Sequence, residues 1–216
     1  MNKELEQRAY SFEMRAEQNE SGIGVVTGRP IVYDTKTDIG WFDEIIERGA
    51  LDKADLRDVR FLVNHDTSKI PLARSRNNNA NSTMQMIIDE RGMAIRVNLD
   101  IKNNSEARNL YSAIERGDIS GMSFMFSVDS DQWDDLESEH PTRIIKRISN
   151  VVEVSACTFP AYEETEISVR NKKALDSAKL ALESAKRAQK AALDSEARSE
   201  VELAKAKYYA KMKVGI

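Results

Sequence analysis

The chain has 216 residues, a formal net charge of −4 and 41% hydrophobic residues, which suits one moderate domain with an appendage or two very small domains. No stretch approaches the roughly 18 uncharged apolar residues of a membrane span. The charged segment Met1 to Arg8 also argues against a signal peptide. One cysteine, Cys157, excludes an internal disulfide, and with two histidines it falls short of a zinc site. We therefore expect a reducing cytoplasm and no structural metal.

Hydrophobic alternation predicts that the first part of the chain is mainly β. Apolar and polar residues alternate from Tyr10 to Arg15 and from Met93 to Asp100, which is the period of half-buried strands. The turn residues Asp89 to Gly92 predict a hairpin. Further strands are expected at 23–33, 59–65, 84–89, 119–128, 143–148 and 151–159.

One helix is predicted between these strands. Its apolar face consists of Ala107, Leu110, Tyr111 and Ile114. Ser105 is the expected N-cap, and Gly117 is expected to end the helix. Many short strands with few helices predict an α+β chain built on a small antiparallel β-barrel.

Composition and charge change near residue 170. The segment 171–216 has 11 Lys and Arg against 6 Asp and Glu, whereas the preceding residues carry 21 against 30. All four prolines and eight of the nine glycines precede that boundary. We predict a folded domain over 1–170 and a basic, Ala/Lys-rich tail over 171–216.

The tail is predicted to be one long helix. Small apolar residues recur in it at three- and four-residue spacing: Leu175, Ala178, Leu182, Ala185 and Ala192. A stripe made mostly of alanine buries little area, so a weak coiled coil, a marginal free helix and a segment that orders on a partner all remain open. A solvated helix with no separate task fits equally well.

The two histidines differ in their surroundings. His140 lies in an acidic, polar stretch that ends at Pro141 and is expected to be an exposed loop. His65 closes the apolar run that begins at Phe61 and gives way to polar residues. A strand fixes a general base placed at its end and the following loop admits substrate, so His65 is the candidate base.

Ser123 is the candidate nucleophile. It lies in a strand whose other face carries Met122, Phe124 and Phe126, and Gly121 leaves room beside it for a bound chain. A serine hydroxyl needs a base to take its proton. Because the surroundings predict a strand rather than a strand–turn–helix elbow, an α/β-hydrolase is not expected.

Glu153 is the candidate partner of the histidine. Val152, Val154 and Ala156 are expected to face the core, with Val151 on the opposite face beside Glu153 and Ser155. A carboxylate in an apolar strand is costly without a partner, and a histidine held through one ring nitrogen would supply one. Asp66 would point to the other strand face and ranks below Glu153, while Cys157 is a rival nucleophile more typical of an inert core thiol.

At this point the chain resembles the head-maturation (prohead) proteases of tailed bacteriophages, serine peptidases similar in fold to the herpesvirus assembly protease. Each segment alone is weakly specific, but together they stand in the family's order. These segments are Gly28 to Tyr33, Glu47 to Leu51, Phe61 to Asp66, Gly121 to Phe126 and Val152 to Tyr162.

The resemblance implies a serine endopeptidase that needs no cofactor, with His65 as base, Ser123 as nucleophile and Glu153 as third member. It also implies as partner the major capsid protein precursor, whose scaffolding segment the family cleaves together with the protease itself. Self-association and action inside the assembling prohead, in the host cytoplasm, are expected as well. Arg143 and Arg147, on the strand before Glu153, are candidates for stabilising the oxyanion.

Two other classes of protein are weighed against the peptidase. A scaffold or assembly protein with the same fold and no catalysis would suit the basic tail, although a degenerate copy should have lost at least one of the three residue types. A nucleic-acid binder is disfavoured because the tail offers only Tyr208 and Tyr209 as stacking aromatics.

Overall fold

The computed structural model describes residues 4–10, 14–18, 23–158 and 171–192. The chain divides into two compact units, 1–172 and 173–216. Within the described residues, eleven strands and helix α1 (Ser105–Glu115) lie in the first unit, and a second helix, α2, spans 171–192. The strands are β1 (Glu6–Tyr10), β2 (Arg15–Gln18), β3 (Gly24–Val32), β4 (Thr37–Asp38), β5 (Asp43–Ile46), β6 (Asp58–Val63), β7 (Ala73–Arg76), β8 (Met84–Asp89), β9 (Gly92–Leu99), β10 (Gly121–Asp134) and β11 (Thr142–Cys157).

The strands form two sheets. The smaller sheet has the order β2-β3-β9-β8, with all neighbours antiparallel. The larger sheet has seven strands and follows the path β1-β10-β11-β5-β4, with β6 pairing β11 and β7. On one edge β11 pairs antiparallel with β10; on the other its first half pairs β5 and its second half pairs β6, both parallel.

The prediction of a mainly β chain is confirmed, but the antiparallel barrel followed by a long helical tail is wrong. Among the described residues, the outer strands β1 and β4 have one neighbour each, so the larger sheet stays open. Two of the pairings of β11 are parallel, which an antiparallel barrel does not contain. In the tail, the described helix covers only 171–192, and residues 193–216 lie outside the described part of the chain.

One apolar core joins both sheets and α1. The predicted inward face of β9 is confirmed, because Met93, Ile95, Val97 and Leu99 are at most 2% exposed. The helix also has the predicted face, with Ala107, Leu110, Tyr111 and Ile114 buried. Phe124 and Phe126 of β10 add their rings to the same core.

Local backbone chemistry explains where two elements begin and end. The N-cap of α1 is Asn104 rather than Ser105, because the Asn104 side chain accepts the N–H groups of Glu106 and Ala107. Gly92 closes the predicted hairpin between β8 and β9 with a φ of 126°. A Cβ there would lie 2.1 Å from the carbonyl oxygen of Ile31, so the close approach of β3 to β9 requires glycine.

Two sequence predictions about strand ends change in the structure. The segments predicted at 143–148 and 151–159 are one continuous strand, β11, with an extra residue at Val152 because Met125 pairs Glu153 and Phe126 pairs Val151. This bulge puts Val151 in the core instead of Val152. The strand predicted from Tyr10 to Arg15 is divided between β1 and β2, and Phe12 lies outside the described residues.

Candidate active site

His65 lies in a turn beyond β6, two residues past the end of the strand. Asn64 and His65 both adopt left-handed backbone conformations, with φ values of 50° and 57°. The turn is tied to the end of β11, since the N–H of Asn64 donates to the carbonyl of Ala156 at 3.0 Å. The Asn64 side chain also accepts the N–H of Thr158 at 2.9 Å. These bonds fix the base against the strand that carries Glu153.

The structure brings the predicted base and carboxylate together. His65 Nδ1 lies 2.5 Å from Glu153 Oε1, and the two side chains are only 12% and 3% exposed. The parallel pairing of β6 with β11 explains this proximity, because the C-terminal ends of the two strands lie side by side. When the carboxylate is ionised it only accepts hydrogen bonds; in that state the contact requires the ring proton on Nδ1, and Nε2 is the nitrogen that can act as a base.

Ser155 completes this pair, and sequence reasoning gave it no role. Its Oγ donates to Glu153 Oε2 at 2.6 Å and accepts the backbone N–H of His65 at 3.1 Å. The available signal was the pattern Glu153-x-Ser155, which places two polar side chains on one face of an apolar strand. Ser155 is fully buried.

Ser123 lies on β10 directly opposite Ser155. Directly opposed residues of antiparallel strands have Cβ atoms about 4.5–5.5 Å apart. The Ser123 hydroxyl is fully buried and donates to the carbonyl oxygen of Arg8 on β1 at 2.7 Å. The structure thus places Ser123 on the strand beside the His65–Glu153 pair, with its hydroxyl directed at β1 rather than at the imidazole.

Cys157 lies closer to the base than expected for an inert core thiol. Its Sγ is 3.8 Å from His65 Nε2, and it pairs with Gly121 across to β10. The thiol is 4% exposed. It therefore stays a rival nucleophile that a substitution must test.

A cluster of buried charges links β1 to β5 and, through Arg143, to β10 and β11. Arg8 donates to both oxygens of Glu44 at 2.5 and 2.7 Å and to Glu6 at 2.7 Å. Arg143 donates to Glu6 at 2.6 Å, to Glu44 at 3.3 Å and to Asp131 at 2.6 Å. Burial acts to raise the pKa of Glu6, but the hydrogen bond from Arg143 and the charge of Arg8 outweigh it, so that pKa is lowered.

Arg143 and Arg147, the two candidates for stabilising the oxyanion, form ion pairs with carboxylates away from the candidate site. Arg143 belongs to that buried charge cluster, separated from Glu153 by roughly 33 Å of extended strand at about 3.3 Å per residue. Arg147, also on β11, pairs with Asp129 of β10 at 3.3 Å. Neither lies at the His65–Glu153 pair, so the oxyanion role assigned to them is not supported.

His140 lies in an exposed segment, as predicted, beside two carboxylates. Its Nε2 is 3.2 Å from Asp43 and 3.7 Å from Asp38, and one ligand atom from each of the three residues lies within 4.8 Å of the others. By spacing alone the three could hold a metal ion. The ammonium of Lys36 already forms an ion pair with Asp43 Oδ2 at 2.5 Å.

Within the described part of the chain, no helix is both long and apolar enough to cross a membrane.

The site thus holds a histidine in contact with a buried carboxylate, beside a strand that carries a buried serine, which are the three residue types that a serine hydrolase uses. A family model described as caudovirus prohead serine protease matches residues 10–179, and the chain belongs to that family. It is 32% identical over 149 residues to the prohead protease of Enterobacteria phage HK97, covering 67% of this chain and 59% of that protein. A solved structure of the capsid assembly protease of bacteriophage T4 matches with a TM-score of 0.36 and 12% identity, over 70% of this chain and 98% of that one.

Proposed function

We propose that this chain is a serine endopeptidase of phage head maturation, which cleaves the scaffolding segment of a capsid precursor and cleaves itself. The observation that carries the proposal is the His65–Glu153 contact of 2.5 Å beside the serine strand β10. Membership of the prohead serine protease family supports the reaction type. The chain spans 59% of the HK97 relative's length, so substrate and partners belong to the proposal as well.

In the proposed mechanism, Ser123 attacks the substrate carbonyl and His65 takes its proton through Nε2. Glu153 stays ionised, holds the Nδ1 proton and stabilises the imidazolium that forms. The Ser123 hydroxyl must first leave the Arg8 carbonyl, and rotation about χ1 to another staggered rotamer is the movement that this mechanism requires. Backbone N–H groups stabilise the oxyanion, and His65 returns the proton to the leaving amine as the peptide C–N bond breaks and Ser123 is acylated. A water that gives its proton to His65 then hydrolyses the acyl-enzyme, and His65 returns that proton to Ser123.

The proposed partners are the major capsid protein precursor and further copies of this chain, inside the assembling prohead in the host cytoplasm. We assign the basic tail a docking role, because its 11 cationic against 6 anionic residues suit acidic scaffold segments. Deleting residues 172–216 should reduce incorporation into proheads, measured by gel densitometry of purified particles. Unchanged incorporation would exclude this role.

The test of the activity is intact mass spectrometry after co-assembly with the capsid precursor. Wild type should trim the precursor and itself, and Ser123→Ala should trim neither. Ser127→Ala is the matched control, since it also removes a buried hydroxyl from β10. Cys157→Ala should cleave like wild type, whereas loss of cleavage in Cys157→Ala but not in Ser123→Ala would make the thiol the nucleophile.

A second candidate is an assembly protein of the same family without catalysis. The hydrogen bond from the buried Ser123 hydroxyl to Arg8 favours it, because the hydroxyl does not contact the base. If wild type leaves the precursor and itself intact even inside co-assembled shells, this second candidate replaces the first.

A further inference from the structure

The Ser155 hydroxyl lies between the base and the carboxylate of the candidate site. It makes two hydrogen bonds, donating to Glu153 Oε2 at 2.6 Å and accepting the backbone N–H of His65 at 3.1 Å. We propose that Ser155 is a positioning residue that fixes the imidazole of His65 in two ways, through the carboxylate of Glu153 and through the backbone of His65. This inference rests on the proposed peptidase function, because it concerns the orientation of the proposed base.

The first contact fixes the plane of the carboxylate. The terminal torsion of a glutamate is broad and roughly two-fold, so a single bond from one oxygen leaves the carboxylate free to turn. His65 holds Oε1 of Glu153 and Ser155 holds Oε2, so the two bonds together define the plane. Because Glu153 is 2% exposed, water does not replace Ser155 without opening the site.

The second contact fixes the backbone of the base. His65 has a φ of 57°, a conformation that non-glycine residues adopt at a cost and keep only when neighbours hold them. Its N–H points at Ser155 Oγ, so the left-handed turn is held by the same hydroxyl that holds the carboxylate. The same atom on β11, Ser155 Oγ, therefore fixes the main chain of His65 directly and its ring through Glu153.

The direction of the Ser155 hydroxyl follows from its two partners. An ionised carboxylate can only accept and a backbone N–H can only donate, so the Ser155 proton points to Glu153 and a lone pair points to His65. The hydroxyl proton is committed to the carboxylate, which separates this role from that of a nucleophile. Since Ser155 also pairs with Ser123, the positioning residue lies between the base and the proposed attacking strand.

The test uses the full chain with Ser155→Ala, Ser155→Thr and a matched control, Ser75→Ala. Ser75 is likewise fully buried, and within the described residues its hydroxyl has no hydrogen-bond partner. One readout is the ¹⁵N and proton NMR of the histidine rings, where only two histidines need assignment, with His140→Gln to separate them. The other is kcat and KM on a peptide from the scaffolding segment of the capsid precursor.

We expect Ser155→Ala to lose the protected Nδ1 proton signal of His65, with kcat reduced about 10- to 100-fold as for loss of a hydrogen bond to a charged group. KM should stay within about twofold, because the hydroxyl does not contact substrate. Ser155→Thr should restore the signal and kcat, and Ser75→Ala should change neither. If Ser155→Ala does not fold, Ser155→Cys, of similar volume with a weak donor, takes its place with the same expectations.

Two results would overturn the proposal. One is a Ser155→Ala protein with the wild-type Nδ1 signal and wild-type kcat. The other is complete loss of cleavage in Ser155→Ala with the His65 signal intact, which would show that Ser155 does not act by positioning His65. If wild type cleaves nothing, the peptidase function fails, and the NMR comparison still decides whether Ser155 orients His65.

Discussion

Glu44 is the carboxylate whose removal should destabilise the protein most. It is fully buried between two guanidinium groups and accepts from Arg8 at 2.5 and 2.7 Å and from Arg143 at 3.3 Å. In Glu44→Gln the charge is lost, and the amide nitrogen is a donor facing guanidinium donors. Breaking one partner out of a buried ion pair costs about 3–5 kcal/mol, and we expect the lower end because Glu6 still contacts both arginines.

The assay is urea unfolding at pH 7, followed by tryptophan fluorescence. With a slope of about 1–3 kcal/mol per molar urea, a loss of about 3 kcal/mol lowers the midpoint by more than about 1 M. The control is Asp55→Asn, which breaks a pair with Arg57 whose side chains are 44% and 79% exposed, and should cost less than about 1 kcal/mol. Equal midpoints for Glu44→Gln and Asp55→Asn would refute the assignment of stability to the buried cluster.

Three further predictions concern Glu153, Gly92 and Glu6. Glu153→Gln should reduce kcat by about 10³- to 10⁴-fold, because the amide favours the wrong tautomer of His65; a wild-type kcat would show that the His65–Glu153 contact has no catalytic role. Gly92→Ala should lower the free energy of unfolding by at least about 1–3 kcal/mol, measured in urea, because its Cβ meets the Ile31 carbonyl. The lowered pKa of Glu6 means that its contribution is complete above its ordinary pKa of 4.5 and is lost as the pH falls further. Wild type should therefore lose stability more steeply than Glu6→Gln between about pH 5 and 3, and parallel midpoint curves would contradict this.

The sequence predicts local features of this fold well, because short-range physics decides them. The alternation of Met93 and Ile95 with polar residues sets the inner face of β9, and Gly92 marks the hairpin that precedes it. The apolar face of α1 follows from the spacing of Ala107 and Leu110. Each of these features is set by residues that lie within a few positions of one another along the chain.

What the sequence could not predict depends on contacts between distant segments. The open sheet arises because β11 has both β5 and β6 on one edge, and nothing in residues 142–157 specifies two parallel neighbours. The extra residue at Val152 changes the strand faces, and it becomes visible only through pairing with Met125 and Phe126. Alternation alone therefore assigned Val151 to the wrong face.

The candidate site divides in the same way. The residue types of His65 and Glu153 predicted a pair, and the structure places them in contact. The catalytic assignment of that pair and of Ser123 stays a prediction. The contacts of Ser155 and the burial of Ser123 under Arg8 could not be predicted, because both depend on the register of β10 with its neighbours.

The position of β11 in the chain also sets the order in which the site can form during synthesis. The loop with His65 and the strand with Ser123 leave the ribosome before residues 142–157, and both are organised by pairing with that later strand. Pairing strands that lie so far apart in the chain is slow compared with forming α1 or the hairpin between β8 and β9. A nascent chain therefore carries the base without its carboxylate, and the His65–Glu153 pair exists only after translation has passed β11.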